Sequence, residues 1–186
     1  MARPRAFDTD LALDRAMDVF WELGYEEATL PDLLSGMQLT RGSLYKAFKD
    51  KKSLFLITLD RYEKHSVADA VAQLADTSIP DGWDRIMALF HSIADAVGQD
   101  DRRGCLLCSA AAGPASYDPD IAHAVHRGLG QMRAAFEAAL PDDGPALADL
   151  LVTQYTGLRI LSRSRMPAPV INASINDLQK LRDLAT

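Results

Sequence analysis

Two groups of residues in this 186-residue sequence have types and spacing suited to chemistry. Cys105 and Cys108 are its two cysteines, and their separation puts both sulfurs on one face of a helix. Cys105 follows Arg102 and Arg103 and falls near the start of a short apolar helix expected from Gly104 to about Ala112. Cationic neighbours and a helix start both favour the thiolate, the reactive form of the group. An electrophile or an oxidant could be sensed there, although two small residues packing an apolar helix account for the same spacing. The second group is basic: Arg41, Lys46, Lys49, Lys51 and Lys52 are set against Asp50 alone. Such a cluster suits phosphate, and a solvated lysine-rich helix junction shares its composition.

Other chemistry finds no constellation. The sequence has no Walker loop, no His-Glu-x-x-His, no Gly-x-Ser-x-Gly and no dinucleotide fingerprint, and its carboxylates are spread along helical surfaces. Neither an enzyme nor a cofactor is expected. His65, His91, His123 and His126 form no zinc pattern with the cysteines. His123 and His126 could hold a metal on one helix only with a further ligand, so no metal is expected. Apolar residues make up 48% and charged residues 25%, which excludes a disordered chain. The longest run without Asp, Glu, Lys or Arg, Gly104 to Tyr117, contains Pro114 and is too short to span a bilayer. The start of the chain lacks the apolar core of a signal peptide, so a cytoplasmic protein with reduced cysteines is expected. The net charge of −6 is unevenly placed. Residues 1–65 carry 10 Lys/Arg against 11 Asp/Glu, and residues 66–186 carry 10 against 15. A basic patch on an acidic protein would bind DNA locally while the rest repels it.

The elements that position these groups read as helices throughout, with no alternating strand pattern. Leu13, Ala16, Met17, Phe20 and Leu23 stripe a first helix, capped by Asp8 or Asp10 and ended at Gly24. Thr29-Leu-Pro-Asp opens a short second helix ending near Met37, and Thr40 caps a third through about Lys46. Asp50 caps a long fourth helix with Leu54, Phe55, Thr58, Tyr62 and His65 in its stripe. Further helices are expected over about 82–98, 104–112, 118–140, 146–164 and 170–184, giving about nine in an all-α fold. Short helices joined by tight turns suggest a helix-turn-helix whose third helix enters the major groove. Gly42 and Ser43 keep that helix thin, Arg41 and Lys46 project from it, and Tyr45 offers a phenol to a phosphate. Leu39, Leu44 and Phe48 would hold it to helices one and two.

Gly24-Tyr25, Thr29, Asp32-Leu33-Leu34, the run Leu39 to Phe48 and Lys51 to Phe55 together resemble the N-terminal domain of the TetR family of transcriptional regulators. The likeness covers about residues 8–60. Arg103-Gly104-Cys105-Leu106-Leu107 resembles a segment of one large subset of these regulators. The resemblance implies that Thr29 and Tyr45 contact phosphates and that Arg41, Ser43 and Lys46 face base edges or nearby phosphates. Thr40 and Gly42 belong to the same surface. Lys51 or Lys52 would grip the backbone, and Arg3 and Arg5 could form a minor-groove arm. The family usually has Gly where this chain has Gln38, so a left-handed residue is expected there.

This organisation gives a DNA-binding domain over 1–50, a connecting helix over 51–75, and an effector-binding and dimerisation domain over 51–186. Its partners would be a palindromic double-stranded operator, an unknown small-molecule effector and a second copy of the chain, with no membrane. The expected function is a repressor released by its effector. A thiol-based sensor on the same scaffold and an architectural DNA-binding protein without an effector are the alternatives. A cavity among the later helices could be lined by Tyr62, Trp83, Met87, Phe90, His91, Cys105, Cys108, Tyr117, His126, Met132 and Tyr155. Core packing explains the helical spacing of Trp83, Met87 and Phe90 better than ligand contact does. Leu150, Leu151, Leu158, Leu161, Ile171, Ile175, Leu178 and Leu181 are expected at a dimer interface made by the last two helices.

Overall fold

A computed structural model describes residues 7–140 and 144–185, apart from the side chains of 181 and 183–185. Arg3 and Arg5 lie outside the described residues, as does the side chain of Leu181. Within them every long element is a helix: α1 Thr9–Leu23, α2 Leu30–Met37 and α3 Arg41–Phe48 come first. The fourth, α4, covers 51–75 as an α-helical Lys51–Tyr62, a π-helical turn Glu63–Val67 and an α-helical Ala68–Ala75. Then follow α5 Gly82–Gly98, α6 Leu106–Ala112, a short turn of 3-10 helix, α7 Pro119–Ala139, α8 Gly144–Arg163 and α9 Ala168–Ala185. No helix among the described residues is long and apolar enough to cross a membrane.

Side-chain caps start these helices where orphan amides need acceptors. Asp8 accepts from the amides of Asp10 and Leu11, Thr29 and Asp32 form a reciprocal box at α2, Thr40 accepts from Ser43, and Asp50 from Ser53. Gly24 closes α1 at φ 85° and ψ 167°, an extended mirror conformation rather than the left-handed helical one. Gln38 ends α2 at φ 55° and ψ 43°, the left-handed residue expected of the turn, and its amide oxygen accepts from Arg15 at 2.9 Å.

One apolar core runs through the molecule. Phe20 packs edge-on to Phe55 at 4.9 Å, and Tyr25 lies 4.7 Å from Phe55, so α1 is fastened to α4. Buried Arg85 secures the link between α4 and α5 by donating to the carbonyls of Leu74, Ile79, Pro80 and Ala139. A Cβ on Gly128 of α7 would run into the Leu107 side chain, so glycine there lets α6 settle against α7.

The terminal helices correct one expectation. Leu151, Leu158, Ile171, Ile175 and Leu178 are buried within the single chain, because α8 packs on α7 and α9 packs on α5. Arg182 pins that contact by pairing with Asp81 and Asp84 at 2.8 and 2.6 Å. These residues are core, not a surface awaiting a second copy. Leu161 is half-buried, and only Leu150, at 45%, is well exposed.

A left-handed non-glycine residue costs about 1–2 kcal/mol. Gln38→Gly relieves that cost but loses the exposed hydrogen bond to Arg15. Chemical denaturation is expected to show a net gain of about 0.5 kcal/mol.

Candidate DNA interface and buried thiol site

The outward face of α3 is made by Arg41, Gly42, Tyr45 and Lys46, all exposed. Leu44 and Phe48 on the opposite face are buried, which orients the helix. Arg41, Tyr45 and Lys46 have no hydrogen bond or ion pair within the described residues, so their polar groups are available to another molecule. A Cβ on Gly42 would meet nothing within 4 Å. Ser43 is half-buried and bonded to Thr40 at 3.0 Å through the hydroxyls, and Thr29 is tied into its box with Asp32. That bond holds the Asp32 carboxyl below its ordinary range.

Lys51 and Lys52 are not free. The Lys51 ammonium donates to the Glu26 carbonyl at 3.1 Å and lies 4.7 Å from the Tyr25 ring centre, and burial lowers its pKa. Lys52 pairs with Asp118 at 2.6 Å and Asp120 at 2.8 Å, whose hydrogen bonds raise its pKa. Asp118 is also the cap of α7, so this pair joins the start of α4 to the start of α7.

The second site is internal. Tyr62, Tyr155 and Arg159 line a cavity of about 260 Å³ together with Trp21, Gly104 and Ser162. Cys105, which follows Gly104 in the chain, is buried and free, as is Cys108. The Cys108 thiol, then the Tyr62 hydroxyl, the Cys108 amide and the Arg159 charge, outweigh desolvation and lower the Cys105 pKa. The hydrogen bond to Cys105, burial and the Cys105 charge raise that of Cys108. Burial first, then the Cys105 charge, raise Tyr62.

Of the residues expected around a cavity, the structure brings Tyr62, Cys105, Cys108 and Tyr155 together. Trp83, Met87, Phe90 and Met132 are packed in the apolar core, with Phe90 6.1 Å from Phe136 and 6.4 Å from Tyr155. Three assignments are corrected: Tyr117 is 88% exposed, and His91 and His126 are exposed, because each lies on the outward face of its element. No group of three or more potential metal ligands occurs among the described residues.

Trp21 and Arg159 are participants that residue type alone does not single out. Arg159 follows Tyr155 by one helical turn, a spacing that places both on one face. Trp21 lies off the main stripe of α1 and becomes central only in three dimensions. Its ring meets Tyr62 edge-on at 5.0 Å and carries the Arg103 guanidinium 4.4 Å from its centre. Arg163 of α8 donates to the Trp21 carbonyl at 2.6 Å, the Glu22 carbonyl at 3.0 Å and the Arg103 carbonyl at 3.3 Å. The C-terminal end of α1 is thereby bound to the helices around the cavity.

Residues 12–57 match the family model described as bacterial regulatory proteins, tetR family. The uncharacterized HTH-type transcriptional regulator YezE of Bacillus subtilis (strain 168) is 31% identical over 98% of this chain and 95% of its own. The chain belongs to the TetR family. The HTH-type transcriptional repressor ComR of Escherichia coli (strain K12) is 44% identical over 39% of this chain and 34% of its own. A cysteine mutant of the TetR family transcriptional regulator CifR, solved with a 26-base-pair double-strand operator DNA, superimposes with a TM-score of 0.81. It is 30% identical and the match covers 94% of this chain and 97% of CifR. This TetR-family DNA-binding transcriptional regulator therefore carries the N-terminal helix-turn-helix and helical C-terminal part of its fold class.

The open surface at Gly42 lets a substitution there be made without disturbing the packing of α3. Gly42→Ala is expected to leave the helical circular dichroism unchanged and raise stability by about 0.5–1 kcal/mol. Operator affinity, measured by fluorescence anisotropy, is expected to fall, since the added methyl thickens the exposed face of α3 expected to contact DNA.

Proposed function

We propose that the protein is an operator-binding repressor that works as a homodimer and leaves DNA when a small effector occupies the Tyr62–Tyr155 cavity. The observation that carries this reading is the unpaired face of α3 on a unit joined, through α4, to a cavity in the other half. The division at about residue 50, with α4 shared, follows from that connection. ComR is a repressor and the CifR mutant was solved on operator DNA, which supports the same role here.

Arg41 and Lys46 read base edges, while Thr29, Thr40, Ser43 and Tyr45 set the register against phosphates. Lys51 and Lys52 reach the backbone from the start of α4, where Lys52 exchanges Asp118 and Asp120 for a phosphate. An effector against Tyr62 tilts α4 as a lever. The two recognition helices then leave the spacing of about 34–36 Å that a symmetric operator requires. A hundredfold preference for the released state supplies about 2.7 kcal/mol.

The dimer forms through α7 and α8. Leu129, Gly130, Val152, Thr156, Gly157 and Ile160 line a shallow apolar groove of about 540 Å³ on their outer face. A Cβ on Gly130 or Gly157 would meet nothing within 4 Å, so two copies can approach closely there and form a four-helix interface.

A second reading, thiol-based sensing at Cys105, is favoured by the place of that free cysteine at the cap of α6, next to Gly104 of the cavity wall, with its pKa lowered by its neighbours.

Lys46→Ala is expected to cost about 1–3 kcal/mol of discrimination between the operator and a scrambled site. Unchanged affinity and preference in a titration would overturn the assignment of α3. Gly157→Glu is expected to turn a dimer into a folded monomer in sedimentation at micromolar concentration. A wild-type monomer, or a dimer in the variant, would refute the α7–α8 face.

A further inference from the structure

The wall of the internal cavity holds a positive charge that no carboxylate answers. Arg159, on α8, lines the cavity together with Trp21, Tyr62, Ile93 and Tyr155. Its guanidinium lies 5.1 Å from the centre of the Tyr155 ring and forms no ion pair among the described residues. Its Nε is buried and has no hydrogen-bond partner there. The indole Nε1 of Trp21, in the same wall, is also buried without a partner. Arg85 and Arg163 are set into the chain differently: the first donates to four backbone carbonyls and the second to three. An interior N–H without an acceptor is unfavourable, and more so on a cation. Two such groups in the wall of one cavity, on α1 and α8, are unsatisfied donors of a kind that a ligand acceptor relieves.

The remaining lining selects the anion. Trp21, Tyr62 and Tyr155 contribute rings and Ile93 and Ala96 contribute alkyl groups, which suits a flat apolar body. Asp69 and Asp101 also belong to the lining and are exposed. Asp101 is committed to Arg103 at 3.1 Å. One negative charge on a ligand is matched by Arg159, whereas a second would meet these carboxylates. A phosphate monoester, with more than one charge near neutral pH, is disfavoured on that count. A carboxylate carries one charge and fits the fork of a guanidinium. The cavity, at about 260 Å³, is smaller than the roughly 300–1,000 Å³ of sites for drug-sized ligands, so the body is limited to about one ring.

We propose that this cavity binds a small aromatic monocarboxylate, its carboxylate held by Arg159 and the Trp21 indole N–H and its ring set among Trp21, Tyr62 and Tyr155. Such a ligand touches α1, α4 and α8 at once. Trp21 already meets Tyr62 edge-on at 5.0 Å, so the ligand bears on the contact between α1 and α4. That this ligand is the effector rests on the repressor reading above; that it binds here does not.

Benzoate is the probe. Titrated calorimetrically into the full-length protein, it is expected to bind about tenfold or more tightly than benzamide, its neutral isostere, and more tightly than phenylphosphonate. Arg159→Gln is expected to lower benzoate affinity to that of benzamide and to leave benzamide unchanged. Trp21→Phe, which keeps a ring and loses the N–H, is expected to weaken benzoate about tenfold. In the nuclear magnetic resonance spectrum of the wild type, the indole N–H signal of Trp21 shifts on saturation. That of Trp83, near the start of α5 and assigned by its loss in Trp83→Phe, does not. No benzoate binding, equal binding of benzamide or tighter binding of phenylphosphonate would overturn the site. So would an Arg159→Gln variant, folded by circular dichroism, that holds benzoate as the wild type does, or a Trp21 signal that stays in place while benzoate binds. The ligand comparison and the Trp21 signal use the wild type, so the test stands even if Arg159→Gln misfolds. Benzoate binding with unchanged operator affinity would uphold the site and overturn release of DNA through this cavity.

Discussion

The edge of the Phe20 ring set against Phe55 is the contact on which the arrangement of the N-terminal half depends. Both rings are essentially without solvent exposure, and one belongs to α1 and the other to α4. Helices as short as α2 and α3, eight residues each, cannot hold themselves in water. They exist because α1 and α4 present an apolar floor for Leu33, Met37, Leu44 and Phe48. The orientation of the exposed α3 face is thus inherited from an aromatic contact that touches no DNA.

A different kind of contact governs the joint with the second half. Arg163 spends its guanidinium on backbone carbonyls rather than on carboxylates, and two of those carbonyls belong to the last turn of α1. That choice satisfies orphan acceptors at a helix end and fixes direction as well as distance. Lys52 with Asp118 and Asp120 forms a looser, more exposed tie on the other flank, which salt weakens. The joint therefore has one directional bond set and one electrostatic one, and they respond to different conditions.

The caps, the helix count and the left-handed Gln38 were legible in the sequence because they are set by residues within a turn of one another. The exposed face of α3 was legible for a related reason: Leu44 and Phe48 mark its buried side, which leaves Arg41, Tyr45 and Lys46 outward. Where tertiary neighbours decide, the sequence was mute. The period of Ile171, Ile175 and Leu178 announces a buried stripe, but nothing in it says that α5, not a second chain, does the burying. The outward rings of Tyr117 and His91 and the pairing of Lys52 are likewise properties of direction, which residue type does not encode. The cysteines were visible by spacing, whereas Trp21 and Arg159 required the fold to bring them near.

The π-helical turn at Glu63–Val67 is clamped by a buried carboxylate. Glu63 accepts from Arg127 at 2.9 Å and from Gln131 at 2.7 Å, both on α7. A π turn holds one residue more than an α turn, so it works as a phase offset between the two ends of α4. Moving that offset along the helix would rotate each residue it passes by about 100° and advance it by about 1.5 Å. Tyr62 stands at the boundary, one residue before the clamp. In this register it faces Cys105 and Trp21; a single step of the offset toward the N-terminus would turn it away from both. The Glu63 clamp is accordingly a ratchet pawl, and the angular setting of the tyrosine is what it keeps.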